Sequence, residues 1–463
     1  MKTEIFDIST RLPVSAAAAF AWHERPGALE RLTPPWERVD LVAREGEGVH
    51  PGTRVTLRAR VAPGWTTQWV AEHRDYSAGH FFTDVAVKGP FSRWQHRHEF
   101  LDTADGGCVL RDRVEYALPC GAAGRLAAGA LVRRKLAAMF AWRHATTRED
   151  LRFTKEHASA PRLRVLVSGS TGLIGRALIP FLRTQGHEVI RLVRRETRTD
   201  DEARWNPDAG EVSLQSAGEI DAVVHLAGAG IADERWTDTR RTVLRESRVR
   251  GTRLLAEALA ARARPPRVVV GGSAIGFYGD AGDAWLQEDS PEGHGFLAEL
   301  TQAWEAAWAP LDTTGARRVY LRTGVVLSPA GGALAKLLPP FRAGLGGPVG
   351  NGRQWWSWIG LDDVLGTIGH ALSDERLRGP VNAVAPAPAT SAELARTLGR
   401  VLGRPAVLPA PAWALRLALG RGLADEALLA SQRVRPGALA ASGYRFRHEN
   451  LEGALRHLLG RVC

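Results

Sequence analysis

The stretch "RVLVSGSTGLIGRAL", Arg164–Leu178, decides how most of this chain folds. "RVLVSG" is a short apolar run of the kind that forms a strand buried on both faces. Gly169, Gly172 and Gly175 then make a G-x-x-G-x-x-G turn, "GRALIPFLRTQG" carries a helical pattern to Gly186, and "HEVIRLVRR" returns as a second strand. Strand, glycine turn, helix and strand make a βαβ unit. Glycine at these places permits the tight turn, brings backbone N–H groups up to a pyrophosphate and lets the helix sit close to the strand. Gly169, Ser170, Thr171, Gly172, Leu173, Ile174 and Gly175 are therefore the candidate dinucleotide-binding residues. Further strands are read in "DAVVHLAG", "RVVVGGS" and "RVYLRTGVVL", separated by helices such as "RGTRLLAEALAAR" and "AELTQAWEAAW". That rhythm predicts an α/β domain with a doubly wound parallel sheet, a Rossmann arrangement.

The end of the second strand chooses between cofactors. An acidic residue there would bond a ribose 2′-hydroxyl, but "IRLVRRE" places Arg194 and Arg195 about 20 residues past the last glycine. Guanidinium groups suit a 2′-phosphate. NADP(H) is expected over NAD(H).

Ahead of this domain, the region from Met1 to His157 reads differently. "TRVTLRARV", "WTTQWVAEH", "HFFTDVAV", "WQHRHEFLD" and "CVLRDRVEYAL" alternate at period two, as strands of an antiparallel sheet do. A long helical pattern runs from about Gly124 to Leu151, with Leu131, Leu136, Met139, Phe140 and Arg143 on shared faces. "TKEHASAPRL", Thr154–Leu163, is a polar linker. The expected domains are thus 1–157, 163–405 and a small helical segment, 409–463, packed as an appendage.

The totals bound the function classes. The 463 residues are 44% apolar and 24% charged, as in a folded protein. The net charge of +11 is spread along the chain, and only five of the 61 basic residues are lysines, so no nucleic-acid surface is expected. Cys108, Cys120 and Cys463 form no CxxC pair, and neither a disulfide framework nor a metal site is expected. Asp362 and Asp363 in "IGLDDV" would point to opposite faces of an extended segment, and Asp362 suits a helix cap. No run reaches the ~20 apolar residues of a membrane span. Val14–Trp22 lacks a cleavage site, and a cytoplasmic protein is the default expectation. Oligomeric state is left open.

Two resemblances add to this. "FSRWQHRHEF", "LRDRVEYALP" and "MFAWRH" resemble the α+β helix-grip (SRPBCC, Bet v 1/START-like) fold, which implies an N-terminal cavity for an apolar ligand. "SGSTGLIGRALIPFL", "DAVVHLAGAGIADERWT", "RESRVRGTRLL", "GSAIGFYGD" and the run from Leu321 to Val364 are similar to the epimerase-like (NAD-dependent epimerase/dehydratase) subfamily of extended short-chain dehydrogenases/reductases, with a DUF1731-type C-terminal segment. That resemblance implies a pyrophosphate on Gly169–Gly175, the adenosine side against Leu226, Ala227 and Gly228, and Ser273 and Val325 near a nicotinamide. The segment Gly331–Trp358 would shape a cleft for a small-molecule substrate, its tryptophans 355, 356 and 358 either stacking on a ligand or packing.

The usual chemistry of short-chain reductases needs a Tyr with a Lys four residues on, whose charge lowers the phenol pKa. Here the residues four after Tyr278, Tyr320 and Tyr444 are Gly282, Gly324 and His448, and Phe296 and Leu300 stand where the pair is expected. Ser273 and Tyr278 remain as candidate catalytic residues, with His294 a third. Two functions follow: an NADP(H)-dependent oxidoreductase acting on a carbonyl or hydroxyl compound, or a non-catalytic NADP(H)-binding module with an apolar ligand in its N-terminal domain.

Overall fold

The structure, a computed structural model, describes residues 3–62 and 64–461; Cys463 lies outside them. Two compact units are present. The first comprises the chain to Ser159 with Pro180–Gly186 and the residues from His457, and the second Ala160–Ile179 with His187–Arg456.

In the first unit, strands β1 (Glu4–Leu12), β2 (Val39–Glu45), β3 (Arg54–Ala62), β4 (Trp65–Ser77), β5 (Phe81–Lys88), β6 (Arg93–Asp102) and β7 (Cys108–Ala117) form one antiparallel sheet. Its order is β1-β7-β6-β5-β4-β3-β2, so each strand from β2 to β7 pairs with the next and β1 closes beside β7. The alternation read in the sequence is real: along β7, Cys108, Leu110, Asp112, Val114 and Tyr116 turn inward. A 36-residue helix, Gly121–Glu156, brings Leu136 and Phe140 into a core with Trp94, Val114 and Tyr116. Leu131, expected on a packed face, is exposed. The segment Val14–Trp22 enters a helix, Ala16–Glu24, that Ser15 caps through Ala18 N–H, and its Phe20 and Trp22 pack in the core. Arg31 grips Asp150 of the long helix through two bonds of 2.7 and 3.0 Å, both side chains buried.

The second unit is the expected doubly wound sheet. Strands β8 (Arg164–Ser168), β9 (Glu188–Val193), β10 (Glu202–Asn206), β11 (Glu211–Ser213), β12 (Ala222–His225) and β13 (Val268–Ala274) are followed by β14 (Trp285–Leu286), β15 (Arg317–Thr323), β16 (Val325–Ser328), β17 (Trp355–Trp356), β18 (Trp358–Gly360) and β19 (Gly379–Ala383). The main sheet runs β11-β10-β9-β8-β12-β13-β15-β19, parallel apart from β11. Its central strands β8, β12 and β13 are buried runs rich in Val, as sheets covered on both faces require. "RVYLRTGVVL" is two strands and not one. A Cβ at Gly324 would lie 2.2 Å from the Ser357 carbonyl oxygen, so only glycine lets the backbone pass there. Beyond it β16 leaves the main sheet and pairs with β18.

The C-terminal residues are woven into this unit instead of standing apart. Strand β21 (Arg433–Val434), which follows β20 (Ala389–Thr390), pairs with β14. Asp362 and Asp363 occupy the first turn of the helix Leu361–Ser373, whose cap position is Gly360, so neither the extended reading nor the capping role of Asp362 holds. The Asp363 carboxylate is buried and accepts the Arg447 and His448 N–H groups at 2.7 and 3.2 Å. Burial pushes its pKa up to about 6 despite those bonds. Among the described residues no helix is long and apolar enough to cross a membrane. Cys108 is buried and Cys120 exposed.

Candidate functional site

The main sheet grows from β8 in both directions, with β9 on one side and β12 on the other. Loops leaving the carboxyl ends of β8 and β12 therefore part, and a crevice opens between them. A cleft of about 500 Å³ lies there, floored by Gly169, Gly172, Leu173, Ile174 and Gly175 and walled by Leu226, Ser273 and Val325. These eight predicted residues come together in one place. Gly169 has φ +68°, and a Cβ on it would meet the Leu226 carbonyl carbon at 2.7 Å; one on Gly175 would meet the Gly169 oxygen at 2.2 Å. The loop is thus a cradle that side chains would fill, and it fits a diphosphate approaching the first turn of the helix Leu173–Thr184.

Below the loop, Ser168 and His225 lock the ends of β8 and β12 together. Ser168 Oγ accepts the Leu226 N–H at 3.1 Å and so directs its own proton to His225 Nδ1, 2.7 Å away. Burial lowers His225 to about 3, which keeps it neutral and able to accept.

The other predicted cofactor residues lie around the cleft, not in its lining. Ser170 and Thr171 sit in the loop, Ala227 is buried behind Leu226, and Gly228 packs on Arg248, whose Cζ is 3.0 Å from where a Cβ would stand. Arg194 and Arg195 follow β9 and are exposed, but they differ. Arg195 is held by Glu202 through bonds of 2.9 and 2.5 Å, whereas Arg194 has no ion pair among the described residues.

Ser273 is the predicted catalytic residue that reaches the cleft. Its hydroxyl donates to Glu305 Oε1 at 2.6 Å, and Arg322 holds both Glu305 oxygens at 2.9 Å. Tyr278 does not reach it. The turn Ile275–Tyr278 swings its ring inward to 2% exposure. There the hydroxyl donates to Asn382 Oδ1 at 2.8 Å and accepts from Arg322 at 3.0 Å. Burial raises its pKa, the wrong direction for a proton donor near neutral pH. His294 is exposed in the loop before the helix Phe296–Ala306 and is absent from the lining. The tryptophans pack: the indole N–H groups of Trp355, Trp356 and Trp358 go to Asp283 Oδ1, the Leu428 oxygen and the Ala387 oxygen.

Four neighbours of the cleft were not read from the sequence. Arg248, on the helix Asp238–Ala260, lines the cleft at 8% exposure with Trp304 below its guanidinium at 5.1 Å. Burial lowers it to about 10, so it stays charged, and no carboxylate pairs with it among the described residues. Glu305 lies one helical turn after Thr301 and backs Ser273; that spacing, with Leu297, Leu300 and Trp304 on the same face, was the available signal. Glu426 and Gln432 come from the C-terminal segment, and Glu426 Oε2 accepts the Leu297 N–H at 2.8 Å, capping the helix that carries Glu305.

A parallel sheet with a glycine cradle at its reversal point defines a dinucleotide-binding fold of the short-chain kind. Comparison with known proteins agrees. Residues 165–382 match the NAD dependent epimerase/dehydratase family, and residues 410–458 match a domain of unknown function, DUF1731. An epimerase family protein of Mycobacterium tuberculosis, MT2273, is 42% identical over 297 residues, 64% of this chain and 98% of that protein. This chain belongs to the epimerase family. Among solved structures, the nucleoside-diphosphate sugar epimerase from Corynebacterium glutamicum is 34% identical with a TM-score of 0.80, over 98% of this chain and 90% of that one, so the likeness includes the first unit. Human epimerase family protein SDR39U1 (isoform 2), solved with NADPH, is 37% identical with a TM-score of 0.61, over 65% of this chain and all of that one.

Proposed function

We propose that this chain binds NADP(H) in the cleft and acts as an oxidoreductase on a small carbonyl or hydroxyl compound. The glycine cradle would take the pyrophosphate, Arg248 would neutralise an anionic group beside it, and Arg194 would meet the 2′-phosphate. The relative solved with NADPH supports that choice of cofactor. When bound, the nicotinamide supplies a hydride acceptor or donor.

The observation that carries the catalytic reading is the Ser273–Glu305 contact at the cleft wall. With its own proton committed to Glu305, Ser273 Oγ presents lone pairs to a substrate hydroxyl. In the oxidising direction the substrate proton passes to Ser273 Oγ as the serine proton moves to Glu305, and the substrate carbon loses hydride as its carbonyl forms. Reduction runs the same relay backwards. Arg322 keeps Glu305 aimed at the serine. A non-catalytic binder is the second reading, favoured by the apolar Leu300 in the wall and the burial of Tyr278.

Reduced-nicotinamide absorbance separates the two. NADP⁺ with a panel of small alcohols, and NADPH with the corresponding carbonyls, should give turnover that falls about 100-fold or more in Ser273→Ala and Glu305→Gln. Saturable NADPH binding with no turnover on any compound would leave the binder.

In the first unit, the sheet order and the long helix after β7 support a helix-grip, SRPBCC-like domain over residues 1–157, ahead of the dinucleotide domain 163–405 and the segment 409–463. Its ligand would be apolar, as the resemblance implies, meeting the aromatic and aliphatic side chains that lie beneath the helix beside a buried His–Asp group.

A further inference from the structure

One face of the first unit's sheet carries metal-ligating side chains in register. Asp84 of β5 stands directly opposite His96 of β6. His98, two residues along β6 and so on the same face, stands opposite Asp112 of β7. The long helix adds His144 from above, with its Nε2 2.7 Å from Asp112 Oδ2. Aromatic rings flank these groups, the Phe140 ring 5.1 Å from that of His96 and Phe82 stacked on His98 at 4.2 Å, and Arg143, His23 and His73 also face them. His96, Asp112 and His144 are each no more than 4% exposed.

We infer that Asp84, His96 and His98 bind a divalent first-row transition-metal ion. One ligand atom from each lies within 4.8 Å of the others, and an ion with bonds of ~2.1 Å would draw them in to ~3–4 Å by small side-chain rotations. Two imidazole nitrogens and one carboxylate oxygen are a borderline donor set, suited to Zn²⁺, Co²⁺ or Fe²⁺ and poorly suited to Mg²⁺ or Ca²⁺.

Two details point the same way. First, His96 Nε2 is 3.2 Å from Asp112 Oδ1 while its Nδ1 is 3.2 Å from Asp84 Oδ2. With an ion bound and the Nε2 proton given to Asp112, which His144 holds in turn, the Nδ1 lone pair would turn to the ion beside Asp84. That carboxylate–histidine backing is how proteins orient a ligating imidazole. Second, His98 Nδ1 lies 2.6 Å from Asp112 Oδ1, so the carboxylate that backs His96 stands against the His98 ring as well. The ligands also stand on paired strands, whose ladder fixes their spacing.

Full-length protein dialysed against chelator and then titrated with Co²⁺ tests this. About one equivalent should bind with visible ligand-field absorption, and Zn²⁺ should displace it. Zn²⁺ should also raise the wild-type unfolding temperature where Mg²⁺ does not, a measurement that needs no variant. His98→Gln and Asp84→Asn, each verified as folded by circular dichroism, should lose the absorption. Asp112→Asn should keep one equivalent at an affinity lowered about 10- to 100-fold. The inference is overturned if the wild type shows no ligand-field absorption and no Zn²⁺-dependent shift, which would leave a hydrogen-bonded His–Asp network. Equal affinity in wild type, His98→Gln and Asp84→Asn would overturn it too.

Discussion

In the second unit the cleft is floored by loops that follow β8, β12 and β13, runs of neighbouring residues such as Gly169–Gly175. Two helices and the C-terminal segment add single residues such as Arg248, Trp304 and Glu426. In the first unit the buried polar groups arrive one at a time, from alternate positions on β5, β6 and β7 and from a helix. A parallel sheet gathers chemistry at strand ends, where sequence neighbours stay together. An antiparallel sheet gathers it across strands, where spatial neighbours are far apart in sequence.

The largest way to sharpen this contrast is to unsettle the first unit alone. Asp150→Ala removes the buried carboxylate that Arg31 grips, and a loss of about 3–5 kcal/mol is expected. Denaturant unfolding should show an early transition, while NADPH affinity of the still-folded second unit should hold near wild type. A single unchanged transition would erase the distinction between the units.

In the second unit, Asp363 supplies a pH signature of about 2–3 kcal/mol. Its folded pKa of about 6 lies above the unfolded carboxylate value of about 3.9. Folded protein therefore holds more protons between those values, and stability falls as pH rises through that window, the full cost being present at neutral pH. Urea midpoints from pH 4 to 7 should decline more steeply for wild type than for Asp363→Asn; parallel curves would contradict the assignment.

Arg248→Leu removes a buried cation that lacks a carboxylate partner. Ligand-free stability should not fall, while NADPH affinity should drop about 30-fold, roughly 2 kcal/mol. Calorimetric titration beside a thermal melt reads both, and a stability loss with unchanged affinity would make Arg248 merely structural. The smallest effect is expected at the exposed Arg194. Its change to Ala should weaken NADPH about tenfold and leave NADH alone; equal losses for both dinucleotides would remove the 2′-phosphate role.

The same contrast explains what the sequence disclosed. The glycine turn and the strand–helix rhythm were legible because each is local, while Ser273, which lines the cleft, was singled out through the family resemblance. Arg248 was hidden among many arginines on a helix, and Glu305 needed the helical face of Leu297 and Leu300 to be recognised as a wall. Tyr278 misled because a residue just past a strand end was taken to face outward, whereas the turn Ile275–Tyr278 folds it under. The two arginines after β9 look equivalent in "RRE", and only Glu202, seven residues past Arg195, separates them. Pairing Asp84 with His96 and His98 with Asp112 requires strand register, which no spacing of two or three residues encodes.

Gly324 has a consequence for how this architecture can diversify. By sending the chain out of the main sheet, it makes Val325 and Val326 part of a separate two-stranded ribbon with β18, while the glycine cradle stays rooted on β8. Grip on the nucleotide and shape of the opposite wall therefore rest on different frameworks. A substitution on the ribbon can reshape what the cleft admits while the glycine cradle keeps its own footing.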